Sequence, residues 1–346
     1  MSFLLLAPIH RTFRDLLVID QTVRFKMIVL VILTVLVLPW VVALIGAVLR
    51  QQQYPEKSFY SCFLNVVLIP VRMIRYGPYK DGRLTLEKAM SYAMKKTGFS
   101  DFGDTKFIQN YNAIFSSAAH QALKLSNLGY VMYRIELNMT MVRRLKLLNF
   151  VKEIPEIKNI PVRSPVFVMG LPRTGTTFLH RLLSLDTKVR SPLLWELLAP
   201  VPAVSKNATD EELRKDNEKR RKFIRKLIAD RQSFGDKALQ HIHEIGADLP
   251  EECIMALTDE LPVHMSCLYS VYLNWDKLFS DKPEINGDCV TAAYAYYKQV
   301  LQILSYQIGE VKDPRRWMLK CPIHLYYTKE IARIFPDAKL IWYVLL

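Results

Sequence analysis

Gly170-Leu-Pro-Arg-Thr-Gly-Thr-Thr177 sets two glycines ahead of a pair of threonines. The frame, G-x-x-x-x-G-T-T, suits a loop that cradles a phosphate between a strand and a helix. The glycines let the backbone curl, and successive N–H groups and the helix N-terminus then point at one anion. A nucleotide-hydrolysing loop of this frame carries lysine where Thr176 stands. Here that point charge is missing, and Arg173 offers a planar, always-charged guanidinium inside the loop instead. A second group with chemical capacity is His241-Ile-His-Glu244, followed by Asp248-Leu-Pro-Glu-Glu252. Asp248 and Glu251 with Pro250 between them make a helix-start pattern, which gives those acids a structural job. His243 and Glu244 precede that start and are freer to act in proton transfer or on an acceptor.

The elements that must position these residues follow from the apolar pattern. Pro165-Val-Phe-Val-Met169 is a compact apolar run ending at Gly170 and reads as a buried strand; from Phe178 the segment FLHRLLSL is helical, so strand, loop and helix succeed one another directly. Residues 210 to 230 form a charged helix whose basic run reads as a solvated face. Tyr294 to Ile308 is an amphipathic helix, Arg316 to Lys320 a short strand, and Ala338 to Leu346 a third buried strand. Strands separated by long helical stretches imply an α/β fold, a parallel sheet covered by helices. Ahead of it, residues 80 to 150 read as a helical lead-in, with Leu84 to Thr97 and Ala113 to Leu147 apolar at three- and four-residue steps, and Pro155, Pro161 and Pro165 punctuate a linker.

The loop resembles that of the sulfotransferase superfamily, in particular the membrane-associated and bacterial-like branch with G-x-P-R-[ST]-G-T-[ST]. His180-Arg-Leu-Leu-Ser-Leu-Asp186, Pro192-Leu-Leu-Trp-Glu196, His243-Glu244 with Asp248-Leu-Pro-Glu-Glu252, and Trp317-Met-Leu-Lys-Cys-Pro-Ile-His-Leu325 resemble further segments of that branch in the same order. The resemblance covers residues 160 to 346. It implies a P-loop NTPase-like fold and transfer of a sulfuryl group from 3′-phosphoadenosine 5′-phosphosulfate, the co-substrate, to a hydroxyl or amine, with no metal. Arg173, Thr174, Gly175, Thr176 and Thr177 would hold the 5′-phosphosulfate. Lys320 would stabilise the bridging oxygen and His324 would take the acceptor's proton; the plainer reading is that His324 caps a helix from Leu325 to Phe335. Trp195 and Glu196 line the cleft or pack the core. A nucleotide-hydrolysing P-loop protein is disfavoured by Thr176 and by the lack of a strand-ending aspartate of the Walker-B kind.

The family closes its next strand with an aromatic-x-His-Arg-Asp-Pro loop, and a serine soon after completes the grip on the 3′-phosphate. This sequence reads Ile341-Trp-Tyr-Val-Leu-Leu346. The expectation is therefore a C-terminally truncated sulfotransferase domain, with a sheet incomplete at that end. A competing reading is a catalytically inactive, membrane-anchored interaction protein with a vestigial nucleotide site.

Met27 to Leu49 is a run of twenty-three residues without a charge. At 1.5 Å per residue it reaches roughly 35 Å, enough for a hydrocarbon core of about 30 Å. It is too long and starts too late for a cleaved leader, and it lacks a small-residue cleavage pattern. Arg11, Arg14, Arg24 and Lys26 before it outnumber Arg50 and Lys57 after it, which favours a cytoplasmic N-terminus and a lumenal main domain. The organisation expected is a tail at 1–26, a transmembrane helix at 27–49, a juxtamembrane and helical region at 50–155 and the sulfotransferase domain at 160–346, in a single-pass Golgi protein. Phe63 to Ile74 is too short to span and reads as interfacial.

With a formal net charge of +14 the chain suits polyanionic partners without specifying them. The expected partners are membrane lipid and an acceptor glycan or small molecule, with no nucleic acid; the oligomeric state is not readable. The five cysteines are scattered, without metal-ligand spacing, so one disulfide and at least one free thiol are expected. Asn138-Met-Thr140 and Asn207-Ala-Thr209 are acceptor sequences for glycosylation.

Overall fold

The computed structural model describes residues 41–42, 45–46, 59–70, 85–112, 126–172, 174–204, 206–233, 244–262, 287–308 and 314–344. The chain divides into two compact units, residues 1–71 and 72–346. In the first, helix α1 spans Phe59–Pro70. The expected membrane span at 27–49 lies outside the described residues except for Val41, Val42, Ile45 and Gly46, which are helical. Among the described residues, no helix is long and apolar enough to cross a membrane.

The second unit opens with α2 (Leu86–Thr97), started by the Thr85 hydroxyl accepting from the Lys88 amide and stopped by Gly98 in the left-handed region at φ 78°. It packs on α3 (Asn127–Glu153) through Leu86, Ala89 and Ala93 against Leu137, Met141 and Leu145. Residues 113–125 of the expected helix lie outside the described residues. Asn138 sits inside α3 with Thr140 buried, so this acceptor sequence is helix interior and not an exposed loop.

The sheet contains β1 (Val166–Met169), β2 (Val189–Arg190), β3 (Arg316–Lys320) and β4 (Lys339–Trp342), in the order β2-β3-β1-β4, all parallel. Helix α4 (Thr176–Leu183) follows β1, and α5 (Leu194–Leu198), α6 (Asp210–Ser233), α7 (Ile254–Leu257) and α8 (Gly287–Ile308) precede β3. A 3₁₀ turn at Pro322–Tyr326 and α9 (Thr328–Ile334) connect β3 to β4.

The period of two along each strand sorts the core. Val166, Val168 and Met318 face α4 and meet Leu179 and Leu183, while Phe167, Met169, Trp317 and Leu319 face the other way, into a cluster with α8 and α9. Both faces are covered, which is why β1 reads as an unbroken apolar run and β3 carries Trp317, Met318 and Leu319 between its charged ends. β4 differs from the buried strand expected: Leu340 and Trp342 are exposed, because among the described residues β4 pairs with β1 alone. The connection from β1 crosses past β3 to β2, and that from β3 crosses past β1 to β4. The two leave in opposite directions, so the carboxyl ends of β1 and β3 border a crevice of the kind in which α/β sheets bind ligands.

Candidate functional site

The loop between β1 and α4 emerges at that crevice. Gly170 is required by close approach: a Cβ there would lie 2.5 Å from the Tyr343 carbonyl oxygen, just past β4. Gly175 caps α4 at φ 93°, where a side chain is strained. Thr176 and Thr177 open the helix, so their amides belong to the unpaired first turn. The Thr174 hydroxyl donates to the Leu171 carbonyl at 2.7 Å and ties the loop across. Arg173 lies outside the described residues.

Lys320 ends β3 on the α4 face, in phase with Met318. Its Nζ donates to Thr177 Oγ1 at 2.9 Å and pairs with Glu252. The ammonium is almost wholly enclosed, its side chain only 2% exposed. A buried lysine, a helix N-terminus and a hydroxyl thus converge at the mouth of the curled loop, which is a place for an anion. Glu252 had no assigned role in the sequence reading. The signal that finds it is spatial: the Cys253 amide donates to the Lys320 carbonyl at 2.9 Å and brings two segments 68 residues apart into register.

His324, four residues beyond Lys320, turns to the other face of the sheet. Its ring stands edge-on to Phe167 at 5.0 Å, and its Nδ1 shares a 2.7 Å hydrogen bond with the Tyr294 hydroxyl of α8. It is fully buried and lies in the 3₁₀ turn rather than capping α9, whose first residue is Thr328. Glu244 is exposed and pairs with Arg181 of α4 at 2.6 Å, one turn beyond Thr177. His243 lies outside the described residues.

Asp248 and Glu251 do not start a helix. The segment after Gly246 is a turn laid along α5, with the Leu194 amide on the Leu249 carbonyl and the Trp195 amide on the Ala247 carbonyl, both at 3.1 Å. Asp248 pairs with Arg221 and Arg225 of α6, so part of that basic, solvated face also holds the turn. Glu196 accepts from the Leu193 amide and from Arg190, whose guanidinium lies over Trp317 at 4.3 Å. Trp195 is buried under α6. Glu196 and Trp195 therefore pack and cap. Among the described residues, no group of three or more His, Cys, Asp or Glu has a metal-holding arrangement, and Cys253, Cys289 and Cys321 are buried.

His180 opens the His180-to-Asp186 segment of the sulfotransferase resemblance. From α4 its Nε2 donates to the Met318 carbonyl of β3 at 3.2 Å and pins the helix to the strand. Burial lowers its imidazole to about 4, and burial together with the Lys320 charge lowers His324 to about 3. Both are neutral in the folded protein near pH 6, whereas an unfolded histidine titrates near 6.5. Below that value the unfolded chain binds protons that the folded chain refuses, so stability falls as pH drops from about 6.5 towards 4. The expected slope is up to ~1.4 kcal/mol per pH unit for each histidine. Denaturant unfolding at pH 7, 6 and 5 measures it. His180→Gln keeps a donor for Met318 and should flatten the slope; an unchanged slope would refute the assignment.

Comparison with known proteins supplies independent findings. Residues 165–344, just over half of the chain, match the family model described as "Sulfotransferase family". No curated protein matches the chain. The fold is similar to the crystal structure of sulfotransferase STF1 from Mycobacterium tuberculosis H37Rv, at 23% identity and a TM-score of 0.52, covering 77% of this chain and 68% of that one. It is also similar to that of sulfotransferase STF9 from Mycobacterium avium, at 24% identity and a TM-score of 0.57, covering 76% of this chain and 64% of that one. The chain thus spans about two thirds of the length of these relatives.

Proposed function

This chain belongs to the sulfotransferase family, and we propose that it moves a sulfuryl group from 3′-phosphoadenosine 5′-phosphosulfate to a hydroxyl or amine of a glycan or other acceptor. The observation that carries the reading is the enclosed Lys320 ammonium set against Thr177 Oγ1 at the N-terminus of α4. In the reaction the acceptor oxygen bonds to sulfur as the bond from sulfur to the bridging phosphate oxygen breaks, and the acceptor proton passes to a base. The charge that develops on the leaving 5′-phosphate is what Lys320, Thr177 and the loop amides are placed to stabilise.

For the proton, the base is His243 or Glu244, the latter exposed beside α4 and paired with Arg181. His324, enclosed by Phe167 and Tyr294, supports the end of β3. The apolar run at 27–49 and the basic residues preceding it support a membrane tether with the main domain on the lumenal side, and the lumen of this proposal is that of the Golgi.

Binding of 3′,5′-adenosine bisphosphate to the full chain tests the reading. Wild type should bind in the micromolar range. Arg173→Ala removes a charge-assisted contact of about 1.5–3 kcal/mol, so its affinity should fall about 10- to 150-fold. Absence of binding in both proteins would instead favour a membrane-anchored interaction protein.

A further inference from the structure

A buried ammonium needs a counter-charge whether or not nucleotide is present, because desolvation of an unpaired ion costs far more than its hydrogen bonds return. Among the described residues, the carboxylate paired with Lys320 is Glu252. Glu252 is itself held in place: its Oε2 accepts from the Cys321 thiol at 3.8 Å, and its amide donates to Glu251 Oε1 at 2.8 Å. The Cys253 amide, bonded to the Lys320 carbonyl, fixes the backbone behind it. Its side chain is 20% exposed against 2% for the lysine, so Glu252 stands on the open side of the pair. On the other flank His180 is neutral and offers Lys320 no competing charge.

We infer that Glu252 is a positioning residue that aims Lys320 at Thr177 and serves, among the described residues, as the sole counter-charge of the ammonium until the donor's phosphate comes to share it. The inference rests on reading the loop as the donor site. Its consequence is a trade-off. Without nucleotide, Glu252 pairs with Lys320 and keeps it directed at the first turn of α4. A phosphate arriving at Thr177 must share the ammonium with that carboxylate and must tolerate its negative charge nearby. The charge of Glu252 therefore opposes nucleotide binding while preserving the geometry that binding uses.

A structural role alone predicts that any change at Glu252 weakens binding; the sharing predicts the opposite sign for the neutral isostere. Titration of the full chain with 3′,5′-adenosine bisphosphate at pH 7 should show Glu252→Gln binding about 3- to 10-fold more tightly than wild type. Glu252→Asp retains the charge and should show no gain. Equal or weaker binding by Glu252→Gln, with wild type binding normally, overturns the inference. Failure of wild type to bind overturns the reading of the loop instead, so the two outcomes are distinct. If Glu252→Gln does not fold, Lys320→Gln and the Lys320→Gln/Glu252→Gln double variant carry the same comparison. Relief of repulsion makes the double bind more tightly than the single, and equal affinity overturns the proposal.

Discussion

Lys320→Met is expected to lower sulfuryl-transfer turnover about 10²- to 10³-fold, the usual loss when one group aimed at developing charge is removed. Methionine fills much of the lysine's volume, and the rest of β3 keeps its partners through Met318 and Leu319. What disappears is the ammonium against Thr177 and the partner of Glu252. Because Glu252 is partly open to solvent, water can hydrate the orphaned carboxylate, so the fold should survive the change. Turnover of labelled donor, measured beside the unfolding midpoint, separates chemistry from stability. Activity within threefold of wild type in a normally folded Lys320→Met protein would remove Lys320 from the mechanism.

The largest stability effect is expected away from that loop. Arg143 and Arg144 of α3 reach two adjacent acids: Arg143 Nε donates to Asp259 at 2.8 Å, and Arg144 pairs with Glu260 while donating to the carbonyls of Phe102 and Asp104 at 3.0 and 2.9 Å. Tyr296 of α8 adds its hydroxyl to Asp259 at 2.8 Å, and the Arg144 guanidinium lies 3.9 Å above the centre of the Phe107 ring. Arg144 and Glu260 are both buried, and burial pushes the Glu260 carboxyl up to about 7 even with Arg144 beside it. Removing the cation leaves that carboxyl and two carbonyls without their donor. Arg144→Met should therefore cost about 3–5 kcal/mol, and adding Glu260→Gln should recover part of the loss by removing the stranded charge. Denaturant unfolding of the single and double variants decides; a loss below ~1 kcal/mol for Arg144→Met would mean that the cluster is dispensable.

Much of this architecture was legible because it is local. The glycine frame at 170–175 and the apolar runs of β1 and β3 depend on neighbours in sequence, and Arg316 to Lys320 was read with its observed bounds. β2 escaped because two residues carry no period. β4 was read as buried because composition reports what a strand is made of, not how many strands flank it. His324 shows a different limit. The sulfotransferase resemblance puts His324 in one site with Lys320; in the structure Cys321 and the 3₁₀ turn carry the chain round so that its ring packs on Phe167. The reverse holds for Glu252, whose tie to Lys320 spans 68 residues and exists only in three dimensions. Asp248 was misread because a helix-start pattern is also what an acidic turn looks like when arginines from another helix are waiting for it.

The crossing connections of the sheet also set a timetable for synthesis. Thr177 leaves the ribosome 143 residues before Lys320, an interval of roughly 7–30 s at about 5–20 residues per second. Throughout it β1 lacks both flanking strands, and α4 has only part of the surface on which Leu179 and Leu183 come to rest. Until Lys320 emerges, the loop after β1 has no enclosed ammonium beside Thr177, so nucleotide cannot template this half-built cradle.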